Sequence, residues 1–207
     1  MEDHTVSTAE ARRREKRGET YDWLQCMVSA LLICILVFVF VARGIGVLGS
    51  SMYPTLQGGM ETAGRALAGD RLLVSNLFYT PKQGDIIVLR KSSFKIEPIV
   101  KRVIAVGGQT VDIDFDAGIV YVDGAALPEA YTNEPTTRRL DFVGPLTVPE
   151  HCVFVMGDNR NYSTDSRDSR IGVIDERFII GKAYFLVLPG ENTQTLKRDF
   201  SRLGLLH

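Results

Sequence analysis

Val111-Asp112-Ile113-Asp114-Phe115-Asp116, followed past Ala117 by Gly118-Ile119-Val120-Tyr121-Val122-Asp123-Gly124, alternates apolar and acidic side chains with a two-residue period. That period predicts a strand with one buried and one wet face, and the second run reads as the returning arm of a hairpin. Working outward, Ile99-Val-Lys-Arg-Val-Ile-Ala-Val106, Asp85-Ile-Ile-Val-Leu89, Arg71-Leu-Leu-Val-Ser75 and His151-Cys-Val-Phe-Val-Met156 are short and rich in β-branched residues. Glycine and proline punctuate nearly every junction. Helical potential is weak and confined to Asp175–Phe178 and the C-terminus. The expectation is one mostly antiparallel β domain, with no internal repeat and no linker that divides it.

The exception is Trp23–Ala42, WLQCMVSALLICILVFVFVA, which carries no charge. At ~1.5 Å per residue a helix of that length spans ~30 Å of hydrocarbon. A core helix would carry a polar stripe, whereas this run has only Gln25 and Ser29; its exit, Val-Ala-Arg-Gly, has no Ala-x-Ala-like site, so a permanent anchor is expected rather than a cleaved leader. Arg12, Arg13, Arg14, Lys16 and Arg17 precede the span and Arg43 stands alone after it, which predicts a cytoplasmic N-terminus. The expected layout is a cytoplasmic tail (1–22), a transmembrane helix (23–42) and an extracytoplasmic β domain (43–207). In the 207-residue chain, 24 Lys plus Arg stand against 25 Asp plus Glu, which leaves no basic excess for a nucleic acid backbone. Three cysteines, two of them inside the apolar run, cannot supply a disulfide framework.

Several patterns are decoys. Gly44-Ile-Gly-Val-Leu-Gly49 matches a dinucleotide fingerprint, but it follows a membrane span and leads into a β domain rather than joining a strand to a helix. Asp158, Asn161 and Asp165 suggest a calcium loop, yet Arg160 occupies the third position and Ser169 stands where the bidentate glutamate belongs. His151 and Cys152 are adjacent on a strand and point to opposite faces, a poor geometry for a nucleophile and its base.

What survives is a serine and a lysine. Ser51 lies in Gly49-Ser-Ser-Met-Tyr-Pro-Thr-Leu56, a few residues past the anchor, where Pro54 favours an extended or turn backbone before it. By itself Ser51 is an ordinary loop hydroxyl. Lys101 shares its strand face with Ile99, Val103 and Ala105, and an amine desolvated there loses its proton more easily and becomes a general base. Equally, an edge-strand lysine lays its stem on apolar surface and its head in water. A third segment, Met156-Gly-Asp-Asn-Arg-Asn-Tyr-Ser-Thr-Asp-Ser-Arg167, is a polar run in which Asp158 and Asp165 have Arg160, Arg167 and Arg102 as alternative partners, and Ser163 offers a hydroxyl to the lysine.

Together, Ser51-Met-Tyr-Pro-Thr-Leu, Gly69-Asp-Arg-Leu-Leu-Val, Lys101-Arg-Val-Ile, Gly157-Asp-Asn-Arg with Ser163-Thr-Asp-Ser-Arg167, and Ile180-Gly-Lys-Ala resemble the type I signal peptidases, with lysine at 101 as in the bacterial type. The resemblance runs from the anchor to about Gly190. It implies a membrane-bound serine endopeptidase that cleaves exported preproteins after Ala-x-Ala-like sites, without cofactor or metal. It implies Ser51 as nucleophile, Lys101 as general base, Ser163 as a hydrogen-bond partner of the lysine, and Arg102, Asp158, Arg160, Asp165 and Arg167 as support. Leu48, Met52, Leu56, Ile99 and Val100 fall where the family lines shallow apolar pockets. The implied partners are secretory preproteins and the lipid bilayer of the cell membrane.

Three positions depart from the pattern. Gly49 stands where some members have a serine that helps to bind the oxyanion, residues 57–68 form a longer connection than usual, and Tyr162 replaces a frequent Asn. Alternatives are a specialised relative with few substrates, and an anchored, catalytically silent binding protein of the same fold. A Ser–Lys pattern is also similar to self-cleaving repressors, which the anchor and the neutral outer domain oppose.

Overall fold

The computed structural model describes residues 3–62, 65–91, 97–192 and 195–206, without the side chains of 3–18, 38–40 and 62. The chain divides into two compact units, Met1–Ala42 and Arg43–His207. The first is a single helix, α1 (Asp3–Phe40). It begins well before the apolar run, because residues 3–22 lack proline and are rich in Ala, Glu, Arg and Lys, which propagate a helix readily. Mean hydropathy over Glu19–Val37 is 1.7, and the large apolar side chains of that stretch are exposed.

The second unit is built of short strands: β1 (Arg43–Gly46), β2 (Met60–Thr62), β3 (Arg65–Leu67), β4 (Arg71–Ser75), β5 (Ile86–Leu89), β6 (Ile99–Val106), β7 (Thr110–Asp114), β8 (Ile119–Val122), β9 (Ala125–Ala126), β10 (Leu146–Thr147), β11 (Cys152–Met156), β12 (Ile174–Asp175), β13 (Ile179–Leu188) and β14 (Gly204–Leu205). Among the described residues the largest sheet runs β1-β4-β13-β5-β6-β11-β12, with β14 paired to β13. A second sheet runs β10-β7-β8-β9, and β2 pairs only with β3. Every pairing between these strands is antiparallel. The expected hairpin is β7–β8, with Val111 opposite Val122 and Ile113 opposite Val120. The helical potential near Asp175 and the C-terminus yields only 3-10 turns, Glu176–Phe178 and Phe200–Arg202.

β6 lies between β5 and β11 and is covered on both faces, which explains its nearly continuous apolar run. Ile99 and Val103 pack with Ile87, Leu89, Val153 and Val155, while Ile104 and Ala105 turn to Phe142, Phe154 and Met156. A third cluster joins Met52 and Leu56 to Leu72, Val74, Val88 and Val100. Each such side chain, fully buried, contributes about 1.5–3 kcal/mol. The two segments that carry Ser51 and Lys101 are thereby packed into a common core.

Candidate active site

Ser51 begins a tight turn that follows the path out of β1. Tyr53 N donates to the Ser50 carbonyl at 3.1 Å and Leu56 N to the Met52 carbonyl at 2.8 Å. The Tyr53–Pro54 peptide is cis. Lys101 comes from the middle of β6, opposite Ile87 of β5. Its Nζ is hydrogen-bonded to Ser51 Oγ at 2.7 Å and to the Val100 carbonyl at 3.1 Å. Only 3% of Lys101 is exposed, so its stem does not carry the amine out to water.

The apolar face expected around Lys101 needs one correction. In the β6–β11 ladder Phe154 stands opposite Ala105 but Val155 opposite Val103, which leaves Ile104 as an extra residue. The bulge resets the alternation and turns Ala105 to the other side of the sheet. Ile99 and Val103 remain on the lysine's side, joined across the ladder by Ile87.

The loop after β11 holds the nucleophile turn. Asn159 N donates to the Ser51 carbonyl at 3.0 Å and Asn159 Nδ2 to the Ser50 carbonyl at 3.1 Å. A Cβ on Gly157 would lie 2.3 Å from both the Ser51 carbonyl oxygen and Ser163 Oγ, so this contact requires glycine. Ser163 is fully buried, yet its Oγ makes no hydrogen bond. The expected bond from Ser163 to Lys101 is therefore not formed; the lysine amine is turned to Ser51 and the Val100 carbonyl instead.

The open question of charge pairing is resolved. Arg102 binds Asp158 through Nε at 2.9 Å and Nη2 at 2.8 Å, and Arg167 binds Asp165 through the same two atoms at 2.9 and 2.8 Å. Arg160 pairs with neither aspartate. Its partner is Glu129, with Thr136 Oγ1 3.0 Å away. All three guanidiniums are buried, and each needs its carboxylate because an unpaired ion in the interior costs several kcal/mol. Arg102 also stacks 4.0 Å above the Tyr131 ring, whose hydroxyl is pushed up to about 12 by burial and then by the charge of Glu129.

The residues expected to line apolar pockets separate into layers. Met52, Leu56 and Val100 are buried in one cluster, Ile99 is half-buried, and Leu48 and Gly49 lie at the surface. Gly49 and the longer connection, two departures noted in the sequence, prove to be one feature. Gly49 N donates to the Gly59 carbonyl at 3.1 Å and Gly59 N to the Val47 carbonyl at 2.8 Å, so the insertion grips one edge of the strand leading to Ser51. Gly58 approaches so closely that a Cβ on it would fall 1.7 Å from the Gly49 carbonyl oxygen. Gly49 has φ 75, a left-handed conformation that favours glycine over a residue with a side chain. From there β2 pairs antiparallel with β3; residues 63 and 64 lie outside the described residues.

Thr55, Glu129 and Asn159 are the contributors that sequence reasoning missed. Thr55 Oγ1 donates to Asp158 Oδ2 at 2.5 Å. Thr55 and Asn159 sit inside the quoted motifs and carried a signal; Glu129 carried none. Of the decoys, His151 and Cys152 stand at the far end of β11, about 16 Å from the loop that touches Ser51. Burial pushes the Cys152 thiol up, which disfavours the reactive thiolate. Gly44–Gly49 runs through β1 into the serine turn and opens no helix.

A β domain that sets a serine hydroxyl against the amine of a buried lysine has the arrangement of a serine hydrolase that needs no histidine. The chain belongs to the signal peptidase family, peptidase S26, whose profile matches residues 20–188. It is 31% identical to signal peptidase I of Bacillus amyloliquefaciens over 95% of this chain and 100% of that protein. It is 39% identical to the probable signal peptidase I-1 of Synechocystis sp. over 79% of this chain and 80% of that one. A signal peptidase I of Enterococcus faecalis V583, known from its crystal structure, superposes with a TM-score of 0.42 at 31% identity over 50% of this chain and 97% of its own.

Proposed function

We propose that the chain removes signal peptides from exported preproteins, with Ser51 as nucleophile and Lys101 as general base. The single observation that carries this reading is the 2.7 Å contact between Ser51 Oγ and a lysine amine 3% exposed to solvent. Burial favours the uncharged amine. Neutral Lys101 takes the Ser51 proton as Oγ attacks the scissile carbonyl, then returns it to the departing amine of the mature protein. In the second half the same amine activates water against the Ser51 ester. The Ser51 N–H makes no hydrogen bond among the described residues and is free to meet the oxyanion, whereas the Gly49 N–H is committed to Gly59.

The substrate docks as an extended strand along the open edge of β1 and the segment that continues it, where Leu48 N–H and C=O make no hydrogen bond among the described residues. Small residues before the cleavage point suit a surface under which Met52, Leu56 and Val100 are packed. Arg102, Asp158, Arg160, Asp165 and Arg167 hold the loop that carries Asn159, and Ser163 keeps a buried hydroxyl in reserve for Lys101 as protons move. The segment within 23–42 anchors the enzyme in the cell membrane in a single pass. The basic cluster keeps residues 1–22 in the cytoplasm and residues 43–207 act outside it. Ser51→Ala and Lys101→Met each abolish processing of a preprotein while circular dichroism stays that of the folded chain. Normal cleavage by either variant overturns the assignment.

A further inference from the structure

The turn that carries Ser51 is tied to the rest of the domain through both ends of one residue. On the side of the lysine strand, Thr55 Oγ1 donates to Asp158, the same carboxylate that Arg102 grips with two nitrogens. Arg102 is the chain neighbour of Lys101, so Asp158 links the strand of the base to the turn of the nucleophile. On the other side, Arg202 Nη2 donates to the Thr55 carbonyl at 3.1 Å. Arg202 is itself fixed by Asp70, with bonds of 3.0 and 2.7 Å. Asp70 is fully buried and also accepts the backbone N–H of Gln57 at 2.8 Å and of Gly190 at 2.6 Å. A Cβ on Gly190 would lie 2.8 Å from the Ala68 carbonyl oxygen, so the segment after β13 is pressed against the one before β4.

We propose that Thr55 and Arg202 are positioning residues that set the distance between Ser51 Oγ and Lys101 Nζ. The segment beyond residue 188, where the family match ends, is thereby part of the active-site support. The inference rests on the assignment of Ser51 and Lys101 as the reacting pair. Its physical basis is a division of labour at two carboxylates. Asp158 keeps its two bonds to Arg102 when the Thr55 hydroxyl is absent, so the core pairing survives while the serine turn loses its tie to β6. Asp70 likewise keeps its two backbone donors when Arg202 is changed, but the Thr55 carbonyl is released. A shift of about 1 Å at the reacting atoms is enough to cost on the order of 100-fold in rate.

Full-length protein in detergent, assayed on an Ala-x-Ala peptide, provides the test. Thr55→Val lowers kcat on the order of 10- to 100-fold with KM nearly unchanged. It also moves the ascending limb of the pH profile upward, because a neutral amine that loses the Ser51 O–H donor is protonated more easily. Thr55→Ser, which keeps the hydroxyl, restores most of kcat and returns the limb. Arg202→Gln lowers kcat roughly tenfold, and combined with Thr55→Val it costs less than the product of the two, since both loosen one turn. Arg202→Lys keeps the charge opposite Asp70 and guards against simple unfolding; its melting temperature stays near that of the parent while kcat falls. The proposal is overturned if Thr55→Val stays within twofold of the parent, if its loss equals the loss of folded protein, or if Thr55→Ser fails to rescue. Ser51→Ala is assayed alongside. If it still cleaves, the catalytic pair falls and this inference with it; if it is inert and Thr55→Val is normal, only the positioning role falls.

Discussion

Lys101 and Ser51 are 50 positions apart and hydrogen-bonded, and in the proposed mechanism the chemistry of that pair turns on one proton. Lys101→Arg preserves positive charge but installs a guanidinium that stays protonated at any working pH. Its expected effect is a loss of roughly 100- to 10,000-fold in kcat on a peptide substrate, the usual contribution of a general base. Tyr131 gives a prediction for stability. Its hydroxyl is held at about 12 by burial and Glu129, whereas an unfolded tyrosine ionises near 10. Between those values the folded chain retains a proton that the unfolded chain has released, so this contribution is intact below pH 10 and is lost as pH rises through 12. The urea midpoint should fall across that window, and Tyr131→Phe should reduce the slope by one proton. The lysine stood out because an amine on an apolar strand face is unusual, the serine only through the motif around it. Thr55 and Glu129 did not, because the bonds that give them meaning reach 103 and 31 residues along the chain. Nor does a pattern of residue types reveal that Ser163 Oγ lacks a partner.

At the level of elements, the two-residue period located β6, β7, β8 and β11, where one or both faces are buried. It missed the extra residue at Ile104, since a bulge inserts one position without altering composition. It also gave no account of residues 57–68, whose strands are three residues each and which meet the serine strand through backbone hydrogen bonds. Two glycines there give contrasting predictions. Gly58→Ala drives a methyl into the Gly49 carbonyl, so the insertion must pull away from the serine strand. Peptide cleavage should drop at least tenfold although the β signal in circular dichroism persists. Gly49→Ala meets open space and suffers only the cost of a left-handed backbone, about 1–2 kcal/mol, seen as a lower melting temperature with most of the activity kept.

For the whole molecule, the division into Met1–Ala42 and Arg43–His207 has a direct consequence. The second unit contains all three apolar clusters, so residues 43–207 should fold and unfold cooperatively without α1. Such a truncated protein should cleave a soluble peptide with nearly unchanged kcat/KM. It should process a preprotein embedded in vesicles far more slowly, since anchoring enzyme and substrate in one bilayer raises their effective concentration. Equal rates on the vesicle substrate would show that α1 has no such role. The apolar helix and the β class were plain in the sequence, because charge and periodicity change abruptly near Arg43. The continuation of α1 back to Asp3 was hidden by polar residues that favour a helix as readily as a tail.

The edge of the serine strand offers a handle for chemistry. One side is closed by the insertion, while the Leu48 amide and carbonyl on the other are unmatched among the described residues. A ligand laid along it engages the Leu48 N–H and C=O, so methylating the backbone nitrogens of an uncleavable peptide one at a time should cost the most affinity at the nitrogen that faces the Leu48 carbonyl. That position reports the register of the bound chain, and a mimic rigidified around it would block the enzyme without touching its nucleophile.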